Sequence, residues 1–136
     1  MSRGGPQYEI QNMEDEDMFD SLMEQSNEKL ILLDVHKEWC GPCAALVPTL
    51  SKLMLDTPSS EERIVIKTCS ADKFTEKIQV TLPGENPIQL SEVGCHPLFL
   101  IYRFNSCIGV VQGVDGPAIL ALVDINIPPV PEKDAQ

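Results

Sequence analysis

Apolar residues recur along this chain with two different spacings. Short continuous runs rich in branched and aromatic residues predict buried strands, at 30–35, 63–69, 98–102 and 107–112. Apolar residues three and four positions apart predict helices, after the acidic run 14–17, over 44–55, around 74–80 and over 118–124. Because helices alternate with strands and two strands follow each other near the end, we predict an α/β fold. Its core is a mixed sheet of four to five strands flanked by helices.

The two ends of the chain differ from its middle in composition. We expect residues 1–6 to be a flexible N-terminus and residues 7–127 to form one domain, with a short first strand at 7–10. Residues 128–136 are rich in proline and charge, so we expect them to be an extended or mobile tail.

The chain is strongly acidic. Its 136 residues include 21 Asp and Glu against 10 Lys and Arg, a formal net charge of −11. Such a surface repels phosphate backbones and anionic lipids, so neither nucleic acid nor a membrane is an expected partner. The longest apolar stretch is far too short to span a bilayer, and the first residues lack the apolar core of a signal peptide. We therefore expect a cytoplasmic protein whose five cysteines are kept reduced.

One short motif carries most of the candidate chemistry. Residues 39–43 read Trp39-Cys40-Gly41-Pro42-Cys43, two thiols separated by a Gly-Pro pair. A predicted strand leads into the motif and a predicted helix leads out of it, a context typical of dithiol–disulfide exchange. The unpaired N–H groups and the dipole at a helix N-terminus favour a thiolate. We therefore expect Cys40 to be the nucleophile that attacks a client disulfide and Cys43 to be the resolving thiol.

A carboxylate interrupts the apolar strand that precedes the motif. Asp34 either points to solvent from an edge strand or is buried beneath the two cysteines. In the buried position, desolvation raises the pKa of the carboxyl and lets it accept the proton of Cys43. The apolar residues around Asp34 favour burial, and Lys67 on the neighbouring predicted strand is its candidate charge partner.

Over about residues 7–127 the chain resembles the thioredoxin family. The resemblance rests on the complete W-C-G-P-C motif and on single residues in matching order: Asp34, Pro48, Lys67, Pro97 and Gly113. It implies a thioredoxin fold in which Asp34 is the buried aspartate, Lys67 the lysine near it, and Pro48 the proline that kinks the helix. It also implies that Pro97 is held in the cis form opposite the cysteines. The client-binding surface implied by the resemblance comprises Trp39, Gly41, Pro42, His96, Pro97 and Gly113.

Three positions depart from the usual thioredoxin pattern. His36 replaces an aromatic residue, His96 an apolar one, and Leu98 a small hydroxyl residue. A subgroup fits these departures better. Leu33–Val35 before the complete motif, the stretch Cys95–Leu100, Gln112-Gly113 and the Pro-rich tail resemble the thioredoxin-like light chains of ciliary outer-arm dynein. They also resemble the thioredoxin modules joined to nucleoside diphosphate kinase domains in flagellar proteins. Because no kinase domain follows here, the free light chain is the closer match.

The subgroup resemblance implies a light chain of an axonemal outer-arm dynein, in the cytoplasm and the cilium or flagellum. Its implied partners are a dynein heavy chain and other axonemal dynein light chains, and its dithiol acts on protein thiols and disulfides. The alternative is a free cytosolic thioredoxin, a general protein disulfide reductase.

The remaining cysteines and histidines have simpler explanations. A structural zinc site would need two ligands besides the motif cysteines, and Cys69, Cys95, His36 and His96 are candidates. Since there is no second C-x-x-C, we expect no metal and no cofactor. Cys69 and Cys107 lie in apolar runs and are predicted to be core residues. Cys95 is either a passive thiol or, as in some thioredoxins, one that forms an intermolecular disulfide.

Overall fold

Five strands and five helices make up the part of the chain that the computed structural model describes, residues 11–13, 15–37, 46–71, 75–82, 98–113 and 115–130. In chain order they are β1 (Gln11–Asn12), α1 (Glu16–Gln25), β2 (Leu30–His36), α2 (Val47–Asp56), α3 (Ser60–Arg63), β3 (Ile64–Ser70), α4 (Thr75–Gln79), β4 (Leu98–Arg103), β5 (Ser106–Gln112) and α5 (Gly116–Asn126). The strand predicted at 7–10 lies outside the described residues. None of the helices in these ranges is long and apolar enough to cross a membrane.

The strands form one mixed sheet in the order β1-β3-β2-β4-β5. β3 is parallel to both of its neighbours, β1 and β2, whereas β4 is antiparallel to both β2 and β5. β2 is therefore the central strand. The predicted mixed sheet flanked by helices is confirmed, and it has five strands.

Helices cover both faces of the central strand, which is why its sequence is a continuous apolar run. Ile31, Leu33 and Val35 pack on the face covered by α1 and α4. Leu30 and Leu32 pack on the face covered by α2 and α5. All seven residues of β2 are buried, so any polar residue in this strand must be accommodated inside the protein.

Side chains cap two of the helix N-termini. The acidic run begins α1 as predicted: the Asp15 carboxylate accepts a hydrogen bond from the Met18 backbone N–H at 2.9 Å. Asp115 caps α5 in the same way, accepting from the Ala118 N–H at 3.1 Å. Pro48 lies in the first turn of α2, which the structure describes from Val47 onward. The kink that we predict at Pro48 involves the preceding turn, which falls outside the described residues.

Two local features differ from the sequence-based expectation. Residues 56–60 are turn-forming and predict a loop, but Ser60 begins the short helix α3. The sequence predicts the β4–β5 turn at Asn105-Ser106, but the turn is centred one residue earlier, on Phe104 and Asn105, with φ of 53° and 64°. Consecutive positive φ values match the twist of the flanking strands. The Phe104 N–H donates to the Ser26 carbonyl at 2.8 Å, which helps to hold a bulky residue in this conformation.

The start of the Pro-rich tail is anchored to the domain. Arg63, only 9% exposed, donates from Nε to the Pro128 carbonyl and from Nη1 to the Pro58 carbonyl, both at 2.9 Å. Pro128 itself is buried. One guanidinium therefore joins the chain that follows α2 to the chain that follows α5.

Candidate functional site

The ends of four strands meet at one edge of the sheet. Val35 in β2 is paired with Cys69 in β3 and with Leu98 in β4, and Leu98 is in turn paired with Gln112 in β5. In the sequence, the dithiol motif follows β2, the segment that contains His96 and Pro97 precedes β4, and Gly113 follows Gln112. All three predicted parts of the site are therefore attached to the same edge of the sheet.

Asp34 is buried at this edge, with 1% of its surface exposed. It lies opposite Thr68 in β3 and opposite Phe99 in β4. Its place in the alternation of β2 puts it on the face of Leu30 and Leu32, which is the face covered by α2. The alternative in which β2 is an outermost strand and Asp34 points to solvent is therefore wrong, and burial of this carboxylate is confirmed. α2 is also the helix that follows the dithiol in the sequence.

A hydrogen-bonded chain runs from Asp34 toward the surface. The Thr68 hydroxyl donates to the Asp34 carbonyl at 3.1 Å and lies 3.5 Å from Oδ2 of the same residue. The same hydroxyl is 3.0 Å from Nδ1 of His36. His36 is 9% exposed and Thr68 is 3% exposed. The imidazole is thus the outer member of a buried polar group of three residues.

Sequence reasoning identified two members of this polar group and missed the third. The sequence marks His36 as a departure at an aromatic position and as a candidate zinc ligand, and nothing in it singles out Thr68. The signal that could have found Thr68 is the strand alignment, because the residue opposite Asp34 in β3 must share its face.

Lys67 does not occupy the position predicted for it. The register pairs Lys67 with Leu33, so its side chain leaves β3 on the face opposite to Asp34. There it lines a cavity of about 330 Å³ with Met13, Met18 and residues of α1. Partial burial lowers the pKa of its ammonium group. The pairing of Lys67 with Asp34 is therefore corrected: Thr68 is the β3 residue beside the carboxylate.

Two cysteines of the described chain are core residues, as predicted. Cys69 is fully buried and Cys107 is 9% exposed. Burial, reinforced by the nearby negative charge of Asp34, raises the pKa of the Cys69 thiol to about 12. Burial also raises the pKa of Cys107. Both thiols are therefore protonated at neutral pH and are poor nucleophiles.

Gly113 directly follows β5 and has a backbone conformation that favours glycine. Its φ is +84°, and an added Cβ would meet no described atom within 4 Å. The backbone angle, not crowding, therefore explains the residue. The register pairs Gln112 with Leu98, the first residue of β4, and Gly113 follows Gln112 in the sequence. Its role in a loop that borders the site stays a prediction.

The other predicted site residues lie outside the described ranges, in 38–45 and 83–97: Trp39, Cys40, Gly41, Pro42, Cys43, His96 and Pro97. Their roles, and the cis form expected for Pro97, stay predictions. Cys95 also falls in this segment. Within the described ranges, no group of three or more His, Cys, Asp or Glu side chains is arranged to hold a metal ion.

Comparison with known proteins agrees with this architecture. The family model described as Thioredoxin matches residues 9–121. The chain belongs to the thioredoxin family. As a thioredoxin-family protein it also resembles solved thioredoxins: the Nicotiana alata thioredoxin NaTrxh aligns with a TM-score of 0.64 at 15% identity, covering 93% of this chain and 100% of that one. The fold is therefore the thioredoxin fold.

Two relatives of this chain are longer proteins that it covers only in part. The Thioredoxin domain-containing protein 3 homolog of Heliocidaris crassispina is 31% identical over 118 residues, covering 87% of this chain and 12% of that protein. The flagellar outer-arm dynein 16 kDa light chain of Chlamydomonas reinhardtii is 28% identical over 90 residues, covering 66% of this chain and 52% of that protein. The chain thus spans about half of one relative and a small part of the other.

Proposed function

We propose that this protein is a thioredoxin-like light chain of an axonemal outer-arm dynein, carrying a redox-competent dithiol at Cys40 and Cys43. The similarity to the Chlamydomonas outer-arm light chain supports the assembly. The observation that carries the chemistry is the buried carboxylate of Asp34, on the α2 face of the strand that leads into the dithiol. A carboxylate in that position is the kind of proton acceptor that a buried resolving thiol needs.

The proposed reaction has two steps. The Cys40 thiolate attacks one sulfur of a client disulfide, forms a mixed disulfide and releases the other client sulfur as a thiolate that takes up a proton. The Cys43 thiol then gives its proton to Asp34, and the resulting thiolate attacks the Cys40 sulfur. The client leaves with both sulfurs reduced, and the domain holds a Cys40–Cys43 disulfide, so two electrons have passed to the client.

The proposed location is the cytoplasm and the axoneme of a cilium or flagellum. The proposed partners are a dynein heavy chain, other axonemal dynein light chains, and proteins that supply thiols or disulfides. In the proposed client-binding surface, Trp39, Gly41, Pro42, His96 and Pro97 act together with Gly113. The formal charge of −11 disfavours nucleic acid and anionic membranes as partners.

A second candidate function is that of a free thioredoxin that reduces many client disulfides. The complete W-C-G-P-C motif, which follows the strand of the buried Asp34 in the sequence, favours it, because the same residues would serve a general reductase equally well. The two functions differ in their partners and not in the chemistry of the dithiol.

Capture from extracts of ciliated cells separates the two functions. A Cys43→Ser variant cannot resolve a mixed disulfide, so redox clients stay covalently attached to Cys40 until reductant is added. The matched control is the double variant Cys40→Ser/Cys43→Ser, which cannot trap clients. Recovery of a dynein heavy chain with both variants, before reductant is added, is the expected result. A mixed set of proteins released from Cys43→Ser by reductant, with no dynein on either variant, would contradict the light-chain proposal.

A further inference from the structure

Three polar side chains lie together on the α2 face of the sheet. Asp34 and His36 are two residues apart in β2, so their side chains leave the strand on the same side, and Thr68 in β3 is paired with Asp34. The cluster on this face is otherwise apolar and includes Leu32 and Phe99. Apolar residues at 36 and 68 would fill the same space without desolvating polar groups, so packing alone does not account for them.

The proposed reaction leaves a proton on a buried carboxyl. Asp34 receives this proton from Cys43 in the resolving step, and 1% of Asp34 is exposed. The proton must reach water before the carboxyl can accept another. A buried acid without a hydrogen-bonded path exchanges its proton when the structure opens locally, on a timescale of microseconds to seconds. A side-chain path to the surface would return the acid to its basic form without such an opening.

The Thr68 hydroxyl lies between the carboxyl and the imidazole. Its Oγ1 is 3.5 Å from Asp34 Oδ2 and 3.0 Å from His36 Nδ1. The longer distance is at the limit of a hydrogen bond, but rotation about the Cβ–Cγ bond of an aspartate is soft and can shorten it. A hydroxyl accepts one proton while it donates its own, and a neutral imidazole does the same through its two nitrogens. His36 is the last residue of β2 and, at 9%, the most exposed of the three.

We infer that Thr68 and His36 form a proton path that connects the buried carboxyl of Asp34 to water. The proton leaves Oδ2 for Oγ1 of Thr68, and the hydroxyl passes its own proton to Nδ1 of His36. The imidazolium so formed releases the proton on Nε2 to water. Thr68 is then unchanged, and His36 is in its other neutral tautomer, which returns to the first by exchange with water.

This inference deepens the proposed function and rests on it, because the proton that the path carries comes from Cys43. The path itself can be measured without the dithiol, since it is a property of Asp34, Thr68 and His36. Both Thr68 and His36 act through Asp34, and neither needs to contact the reacting sulfurs.

Carbon-13 NMR of the Asp34 carboxyl carbon measures the proton exchange directly. The full chain is labelled at its aspartate side chains and carries Cys40→Ser/Cys43→Ser, so that titration of the dithiol does not contribute. The Asp34 signal is the one that Asp34→Asn removes. At the midpoint of its titration, the width of this signal gives the rate of proton exchange. Asp115, which is exposed, is the internal reference for a carboxyl in direct contact with water.

Breaking either link of the path should slow the exchange. His36→Phe fills the space of the ring without a nitrogen, and Thr68→Val removes the hydroxyl. We expect each to slow the proton exchange of Asp34 about tenfold or more, whereas Thr68→Ser keeps the hydroxyl and should exchange as the wild type does. Thr49→Val is the matched control, because it makes the same change in α2 beside Gly116. Loss of a merely structural contact would loosen the site and speed up the exchange, so the direction of the change separates the two roles.

Added imidazole supplies a second test. His36→Ala leaves a cavity at the outer end of the path, and imidazole that enters it should restore most of the exchange rate. Pyrrole has the same shape but no basic nitrogen, so it should restore none. Imidazole should not rescue Thr68→Val, because the inner link of the path is missing.

Three results would overturn the inference. His36→Phe and Thr68→Val would exchange as fast as the wild type, pyrrole would rescue His36→Ala as well as imidazole does, or imidazole would speed up Thr68→Val as much as His36→Ala. Failure of Cys43→Ser to trap clients would instead count against the proposed function. The exchange rates would stand in that case, because they are measured without the dithiol.

Discussion

Replacing Thr68 by valine removes the hydroxyl that links Asp34 to His36. Valine has nearly the same shape as threonine, so the substitution changes hydrogen bonding with little change in packing. The lost contacts are the 3.1 Å bond to the Asp34 carbonyl and the 3.0 Å contact with His36 Nδ1. The 3.5 Å approach to Asp34 Oδ2 is at the limit of a hydrogen bond and contributes little.

The expected cost follows from the burial of the groups left behind. A buried polar atom that loses its partner costs about 1–3 kcal/mol. Because His36 is 9% exposed, water can reach part of the ring, so we expect the lower half of this range, about 1–2 kcal/mol. Thr68→Ser keeps the hydroxyl and removes one methyl group, so its cost is that of lost apolar burial, about 0.8 kcal/mol.

Urea unfolding of the two variants measures these costs. Thr68→Val should lower the free energy of unfolding more than Thr68→Ser does. His36→Phe supplies the second arm of a double-mutant cycle, and we expect a coupling energy with Thr68→Val of about 0.5–1.5 kcal/mol. The reasoning is refuted if Thr68→Val is as stable as the wild type, or if its cost simply adds to that of His36→Phe.

Three further predictions concern the acid, the loop glycine and a core thiol. Asp34→Asn keeps the shape of the side chain but cannot accept the Cys43 proton, so the decay of a Cys40 mixed disulfide should slow by a factor on the order of 10². Gly113→Ala should lower stability in thermal melts by about 1–2 kcal/mol, because alanine is strained at φ of +84°. Burial raises the Cys69 pKa from 9.0 to about 12, so between these pH values the unfolded chain loses a proton that the folded chain keeps. This contribution to stability is complete below pH 9 and declines above it by up to about 1.4 kcal/mol per pH unit, as urea unfolding at pH 8 and pH 10 would measure.

Matched variants make these three predictions decisive. An unchanged decay rate in Asp34→Asn at neutral pH would exclude the carboxylate as the proton acceptor. Gly113→Asn should cost less than Gly113→Ala, because asparagine tolerates positive φ, and equal costs would contradict the backbone explanation. Cys69→Ala should flatten the alkaline decline. Part of the slope should persist, because burial also raises the pKa of Tyr102. An unchanged slope would mean that Cys69 contributes nothing to it.

The central strand and its buried acid could be predicted because the apolar pattern has no gaps. In 30–35 both alternating sets of residues are apolar apart from Asp34, and a strand covered on both faces is the simplest structure that accounts for this. Asp34 therefore had to be buried whichever face it occupied. The same pattern also indicated the alternation of helices and strands that builds the sheet.

The partner of that acid could not be predicted in the same way. β3 has apolar residues in both alternating sets, Ile64 and Ile66 in one and Val65 and Cys69 in the other, so its pattern is compatible with more than one alignment against β2. In an alignment shifted by one residue, Lys67 and not Thr68 would lie opposite Asp34. The lysine would then share the face of the carboxylate. Only the observed register, Asp34 opposite Thr68, decides between them.

The long-range contacts of single residues could not be predicted from the sequence either. The strand predicted at 63–69 begins with Arg63, but in the structure Arg63 ends α3 and donates hydrogen bonds to the carbonyls of Pro58 and Pro128. Nothing local in the sequence reveals that two proline-containing segments, 70 residues apart, meet at one guanidinium. Arg63 also lies in the wall of a cavity of about 460 Å³ that residues of α2 and α5 line, so the shape of this cavity depends on the same two contacts.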